Sequence, residues 1–351
     1  MKKIFLMILV ILSIPVTGNA KYYEALGPFP YRNANPMYLL FAALRPTTAT
    51  ALPEGFLRAE ITSMYSNVYN VASGNGLSET MDMEELRTAL NFDYGLPFGI
   101  EVGLEIPFIK TSSGFLDPFI QDYHKFFGFP NGGRELVPNN QFQAQVSRGG
   151  AIIYSFTETA FSLSDISFRV KGQIADEGPV MPAISWMFLI KAPTGKPSKG
   201  TGSGTWDPGL GFALQKSWGR FHAYINGQQF VTVGLGALNN NMSFGYFNWM
   251  AAGEISFTQR YSGVVELYGS TPLFNGMNVS RWDGQSMDMI VGIQGRYPYS
   301  GAFKEFHWQL GFAEDVNSAG PSVDFTAFLN VGVSFDLFEK KRYQGDMWAK
   351  R

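Results

Sequence analysis

The chain has 351 residues, of which 45% are hydrophobic and 15% aromatic, whereas only 16% are charged, below the roughly 25% usual in soluble domains. Because it has no cysteine, it can form neither disulfides nor thiolate metal sites, and it cannot carry a lipid on a cysteine. The formal net charge of −2 gives no support to nucleic-acid binding.

The first twenty residues, MKKIFLMILVILSIPVTGNA, have the layout of a secretory signal peptide. Two lysines form a basic start, an apolar run follows over 4–12, and Gly18-Asn19-Ala20 supplies a small-residue ending. The apolar run is too short to span a membrane as a helix. We predict a signal peptide over 1–20. Without the two lysines of this signal peptide, the mature chain has 25 basic and 29 acidic residues and a net charge of −4.

The next segment, 21–55, neither alternates nor looks disordered. Its sequence GPFPYRNANPMYLLF over 27–41 combines several prolines with an apolar run at its end. Such a composition indicates an ordered segment that packs under or inside the structure formed by the strands that follow it.

Alternation between apolar and polar residues begins after this segment and is clear in FDYGLPFGIEVGLEIPF over 92–108. Successive side chains of a strand point to opposite faces. Leu104 and its apolar neighbours therefore share one face, and Glu101 and Glu105 share the other. A sheet with one wet face fits this pattern, and so does a barrel with lipid outside and water inside.

Similar segments recur along the chain, each near the length that a tilted membrane strand needs. We count roughly twelve of them, over 56–69, 80–94, 99–110, 163–174, 182–191, 207–217, 221–233, 247–259, 263–271, 286–297, 305–313 and 323–338.

The connections between these segments alternate in length. Short links fall at 95–99, 175–181, 217–220, 260–262 and 298–304, and long ones at 70–79, 111–162, 192–206, 234–246, 272–285 and 314–322. Short turns on one side and long loops on the other are typical of outer-membrane barrels. We therefore predict an all-β fold, an antiparallel transmembrane β-barrel of about twelve strands over 56–338. A soluble β-sandwich, or a pair of them, remains the alternative.

On this model the charged side chains of the inner face would line the lumen. They could form a network of ion pairs that fills the interior, or a selectivity lining for a polar solute. The candidates are Arg58, Glu60, Arg87, Asp93, Glu101, Glu105, Asp165, Arg169, Lys171, Glu254, Glu266, Asp288, Arg296, Asp324 and Asp336.

The longest loop, 111–162, contains DPFIQDYHKFFGFPNGG. Asp117 as N-cap, Pro118 after it and Gly128 at the end predict one short helix in this extracellular loop. An aromatic stripe on this helix could form a lid over the barrel mouth, or it could simply anchor the loop. Its members are Phe119, Tyr123, Phe126 and Phe127.

No catalytic site is predicted. The three histidines, His124, His222 and His307, have no serine or carboxylate at a motif spacing, so ordinary hydrogen-bonded roles are favoured. We expect no metal, no cofactor and no enzymatic activity.

Two sets of motifs resemble known families. GPFPYRNANPMYLL, LEIPFIKTSSGFLDPFIQDYHKFFGFPNGGR and the last alternating strand resemble domain-of-unknown-function family 3187, an uncharacterised family of secreted, barrel-like bacterial proteins. This resemblance covers nearly the whole mature chain and implies no activity. IKAPTGKPSKGTGSGTWDPGLGFALQKSWGRF is similar to a strand-loop-strand unit of outer-membrane transporters associated with aromatic-degradation pathways.

Together these patterns predict an outer-membrane barrel that passes or binds a small solute, with 21–55 as a periplasmic plug and 111–162 as a lid. A plugged structural barrel and a membrane-embedded lipid hydrolase are the alternatives, although the hydrolase has no Ser/His motif here. Expected partners are outer-membrane lipid, an unidentified small solute and the barrel-assembly machinery. Barrels typically end on an aromatic residue, whereas a charged periplasmic tail, 339–351, follows the last strand here. The sequence leaves the solute, the pore state and the oligomeric state open.

Overall fold

The computed structural model describes residues 23–128, 131–232, 234–277, 279–317, 320–323 and 325–338. Within these ranges the wall strands are β1 (Phe56–Gly74), β2 (Leu77–Leu96), β3 (Ile100–Ser112), β7 (Ser167–Ala175), β8 (Ala183–Lys191), β9 (Asp207–Trp218), β10 (Phe221–Val231), β11 (Gly245–Ser256), β12 (Tyr261–Ser270), β13 (Ser286–Pro298), β14 (Phe303–Asp315) and β15 (Phe325–Asp336). Three short strands lie in the longest loop, β4 (Gln143–Arg148), β5 (Ala151–Ser155) and β6 (Thr159–Leu163). The helices are α1 (Pro36–Leu39), α2 (Asp117–Phe127) and α3 (Ser280–Asp283).

The twelve long strands form a closed antiparallel barrel. Each pairs with its neighbour in order, and the ring closes because β1 pairs with both β2 and β15. A closed barrel has no edge strand. The predicted fold and strand count are therefore confirmed, most bounds agreeing within a few residues.

The link predicted over 70–79 differs, because β1 and β2 continue far beyond their predicted ends. Their pairing runs up to Gly74 and Leu77, and only Asn75 (φ 49°) and Gly76 (φ 73°) form the turn. Two consecutive residues with positive φ give the tight turn that matches strand twist in a two-residue hairpin. The loop is thus a hairpin that rises above its neighbours.

The outer face of the wall is apolar. Alternate residues such as Ile61, Phe168, Leu210 and Leu329 expose 52%, 48%, 64% and 45% of their surface, whereas Thr62 exposes only 3%. This is the arrangement of a barrel whose outer face meets lipid.

The stretch 92–108 follows the same alternation. Leu104 lies opposite Phe92 and Phe168, both of which point outward. Glu105 points inward, where its carboxylate pairs with Arg87.

The inside of the barrel is filled by residues 23–55, which we call the interior segment. All four residues of α1 are buried, and Met37 and Tyr38 belong to an apolar core that also includes Phe41, Phe274 and Trp282. Near α1 this core includes residues of the long loop 272–285, where the N–H of Leu273 donates to the Tyr38 hydroxyl, and it continues onto inward wall residues such as Met187 and Tyr224.

The long loop after β3 adds structure around this barrel. Strand β4 pairs with β2, β5 with β4 and β6 with β3. The β4–β5 hairpin turns at Gly149-Gly150, and the Arg148 guanidinium at its tip donates to Asn241 in a neighbouring loop. In the part of the chain described above, no helix is both long and apolar enough to cross a membrane.

Helix α2 does not cover the barrel mouth. The rings of Phe119 and Tyr123 lie 6.1 and 5.8 Å from that of Phe325, which points outward because its neighbour Thr326 is fully buried inside. The expectation that Phe119, Tyr123, Phe126 and Phe127 form a lid over the mouth is therefore corrected. Outward aromatic side chains of β15 give this stripe an apolar surface to pack on.

Candidate functional site

A ladder of charges follows the inner face of β1, β2, β3 and β7. The Arg169 guanidinium lies 2.8 Å from Asp93 Oδ1 and 3.6 Å from Glu105 Oε2, and Glu105 also pairs with Arg87. Asp93 and Arg169 meet across Gly103, which lies opposite both of them and has no side chain to separate them. Opposite charges alternate along the wall.

Arg45 of the interior segment completes this ladder. Its guanidinium lies 3.1 Å from Asp93 Oδ2 and pairs with Glu60. Burial alone would lower the pKa of Arg45, but the carboxylates of Glu60 and Asp93 raise it well above its ordinary value. Arg45 is therefore a fixed positive charge inside the barrel. Glu60 is held in turn by His307, whose Nε2 lies 2.8 Å from Glu60 Oε1.

Two cavities meet at Arg45. The larger, of about 110 Å³ open to water, lies at the end of the short turns and is lined by charged residues including Arg58, Glu101 and Lys171. By the same measure one water needs roughly 10–15 Å³, so several waters fit. The smaller, of about 20 Å³, lies further along the ladder beside Arg87 and Glu105. Pro30, Arg45 and Leu189 line both cavities.

Inward side chains of the wall also hold the main chain of the interior segment. Its N–H groups donate to carboxylates and amides on six strands, for example from Ala42 to Asp207 (3.1 Å), from Leu44 to Asn248 (3.0 Å) and from Ala51 to Gln173 (2.9 Å). Further acceptors are Glu254, Glu266, Asn226, Gln215 and Glu101. Buried main-chain groups are costly without such partners, so this pattern fixes the course of the segment.

Carbonyl groups of the segment are satisfied as well. Arg32 donates to the carbonyls of Tyr38 (3.2 Å) and Phe41 (2.9 Å), close to the end of α1. Burial and the nearby Arg87 lower the pKa of Arg32. Lys191 donates to the carbonyl of Leu40 (3.1 Å). Basic side chains therefore brace the turn that follows this helix.

The predicted lumen residues separate into groups. Glu60, Arg87, Asp93, Glu105 and Arg169 form the ladder, and Lys171 lies 3.1 Å from Glu101 beside it. Arg58 lies beside the ladder, opposite Asp93, and the other members lie apart from it. Asp165 pairs with Lys191, and Glu254 and Glu266 hold the interior segment. Asp288 is buried near Tyr31, Arg296 lies 2.7 Å from Glu24, and Asp336 accepts from the N–H of Phe338. Arg58 lines the larger cavity, and Asp324 lies outside the described residues.

The sequence did not single out Arg32 and Arg45 of the interior segment. Alternation could not find them, because their segment is irregular. A usable signal did exist: they are the two arginines of 21–55, a stretch otherwise poor in charge. An isolated charge in a segment destined for a buried position needs a partner.

A serine and a histidine meet at the short-turn end, where the sequence predicted no pair. His222 Nδ1 lies 2.9 Å from Ser217 Oγ, and its Nε2 lies 3.3 Å from Ser256 Oγ. In a hydrolytic triad a carboxylate would orient the second nitrogen. Nearby Glu254 accepts instead from Tyr224 and from the N–H groups of the interior segment.

A closed barrel of twelve antiparallel strands, apolar outside and charged inside, defines the class of outer-membrane-type β-barrels. Within this class, the chain belongs to the family of proteins of unknown function DUF3187, whose sequence profile matches residues 4–335. The predicted resemblance to that family is confirmed. No curated protein is a significant match.

Several solved structures are similar to this chain. The COG4313 outer-membrane channel from Pseudomonas putida F1 matches with a TM-score of 0.54 and 12% identity, over 84% of this chain and all (100%) of that one. The NanC porin matches with a TM-score of 0.43 and 9% identity, over 79% of this chain and 98% of that one. The Pseudomonas putida toluene transporter TodX matches with a TM-score of 0.33 and 8% identity, over 81% of this chain and 89% of that one. At these identities the likeness is one of fold.

Proposed function

We propose that this protein is an outer-membrane channel for a small polar solute, closed here by its interior segment. The observation that carries this proposal is the pair of cavities that meet at Arg45. The charged cavity at the short-turn end and the second space along the same ladder share Pro30, Arg45 and Leu189 as lining residues. A path lined by both signs of charge suits a small hydrophilic solute better than a lipid.

Opening this path requires the interior segment to move. Its helix α1 is buried in the apolar core near the long loop 272–285, where the rings of Phe274 and Trp282 lie 4.4 Å apart. The solute would therefore pass only when α1 withdraws from that core. On this proposal residues 23–55 act as the plug.

The cellular setting belongs to the same proposal. Residues 1–20 would be a cleaved export signal, the short turns would face the periplasm, and the apolar outer face would meet membrane lipid. Insertion would depend on the barrel-assembly machinery, although the charged tail 339–351 follows the last strand.

A second candidate function is a plugged structural barrel without transport. The hydrogen bonds between wall side chains and the main chain of the interior segment favour it. A segment bound along most of its length is costly to displace.

Single-channel recording in planar bilayers distinguishes the two functions. Arg45→Ala removes the ion pairs that tie the interior segment to Glu60 and Asp93, so it should raise the open probability severalfold over the wild type. Lys216→Ala, which removes a basic residue at the short-turn rim whose ion pair with Glu177 does not involve the interior segment, is the control and should behave like the wild type. If neither folded variant conducts current, the plugged barrel is favoured.

A further inference from the structure

Helix α2 divides into three faces. At 3.6 residues per turn, Asp117, Ile120 and His124 share one face, and each of them is at most 4% exposed. Phe119 and Phe126, two turns apart, lie on a second face and expose 52% and 67% of their surface. The third face carries polar residues, among them Asp122 and Lys125, and is exposed.

The buried face is fixed to the outside of the barrel. Asp117 Oδ1 lies 2.7 Å from Arg134 Nη1 and accepts from Asn67 Nδ2 at 2.9 Å. Just before the helix, the N–H of Phe115 donates to Glu84 Oε1 at 2.7 Å. Asn67 and Glu84 belong to β1 and β2, so charge-assisted bonds hold the helix along the wall.

The aromatic face continues the apolar outer band of the barrel. Phe119 and Tyr123 contact Phe325 at the start of β15, and Phe325 stacks on Phe312 at 6.2 Å. Phe312 is level with Ala327, two residues further from the extracellular end than Phe325. The aromatic side chains therefore descend from the helix onto the surface that faces lipid.

We propose that α2 is an interfacial helix that lies in the outer leaflet, with Phe119 and Phe126 inserted among lipid chains and Asp122 and Lys125 in water. Aromatic rings favour the boundary between headgroups and hydrocarbon, and a helix with one apolar and one polar face lies along it. The occupant of the aromatic face is thus outer-leaflet lipid. The inference rests on the membrane location in the proposed function but not on transport.

Spin labels can test this orientation, because the chain has no cysteine and every single-cysteine variant is labelled at one site. We would label Phe126→Cys, its neighbour Lys125→Cys and the wall position Leu329→Cys in phosphatidylcholine vesicles. Collisions of each label with oxygen, which concentrates in lipid, and with a water-soluble nickel chelate report its surroundings. The gel shift of the folded barrel selects folded protein.

Labels at 126 and 329 should collide mainly with oxygen, and the label at 125 mainly with the nickel chelate. If the label at 329 collides mainly with oxygen but the label at 126 is as accessible to the nickel chelate as the label at 125, the proposal of an interfacial helix is overturned. The membrane location of the barrel would still stand. A water-exposed 329 would overturn both. Phe119→Cys repeats the test should Phe126→Cys fold poorly.

Discussion

At the scale of single residues, the alternation of apolar and polar residues predicts the face of the sheet on which a side chain lies, but it does not predict which residue that side chain contacts. Leu104 and Glu105 were assigned to opposite faces from the sequence, and the structure gives them opposite surroundings. That Glu105 lies between Arg87 and Arg169 depends on the register of three strands. Interstrand register follows from tertiary packing, so the ladder could not be read from one sequence.

The outward position of Leu104 leads to a stability prediction. Leu104→Arg should lower the free energy of unfolding by roughly 2–4 kcal/mol, because an arginine near the middle of the lipid face loses hydration. Leu104→Phe, which keeps the position apolar, should change it little. Urea titrations of refolding in lipid vesicles measure both, and equal stabilities would mean that residue 104 does not face lipid.

At the scale of elements, helix α2 was predicted at its observed place, but its aromatic stripe was left with two interpretations, a lid over the mouth or an anchor for the loop. The bounds Asp117–Phe127 and the left-handed Gly128 follow the predicted ending. Asp117, expected as the N-cap, is the first helical residue, and its carboxylate binds Arg134. The aromatic stripe could not reveal its contact surface, because loop docking depends on outward residues of β14 and β15, far away in sequence.

The attachment of α2 can be tested through Arg134, whose side chain is 1% exposed. Arg134→Ala leaves the Asp117 carboxylate buried without its cation, a change that typically costs about 3–5 kcal/mol. We expect the helix to detach locally and the 111–142 region to be cleaved faster in limited proteolysis of the folded barrel. Arg148→Ala in the same loop removes only an exposed hydrogen bond, so it serves as control. Equal cleavage of the two variants would contradict this anchoring role.

At the scale of the whole molecule, the alternation of short and long connections predicted the barrel and its closure. What fills the barrel was harder to predict from the sequence. Residues 21–55 were expected to pack under or inside it, yet their course depends on acceptors from six strands. An irregular segment has no periodicity from which such contacts can be inferred.

The same alternation predicts the orientation in the membrane. Lys199, in a long loop, and Trp218, the last residue of β9 before a short turn, are both exposed. On intact cells, a membrane-impermeant maleimide should label Lys199→Cys but not Trp218→Cys, because only long loops face outward. Labelling after the outer membrane is permeabilised is the control for Trp218→Cys. Selective labelling of Trp218→Cys on intact cells would reverse the orientation.

The bonds to the interior segment also constrain the order of folding. Leu26 donates to Glu254, 228 positions later in the chain, and the carbonyl of Gly27 accepts from Gln294, 267 positions later. The part of the chain synthesised first thus acquires its partners among the last. Contacts so distant in sequence form slowly, because the entropy of closing long loops is lost before they are made. Since β1 must also wait for β15 to close the ring, the N-terminal residues are enclosed only as assembly is completed.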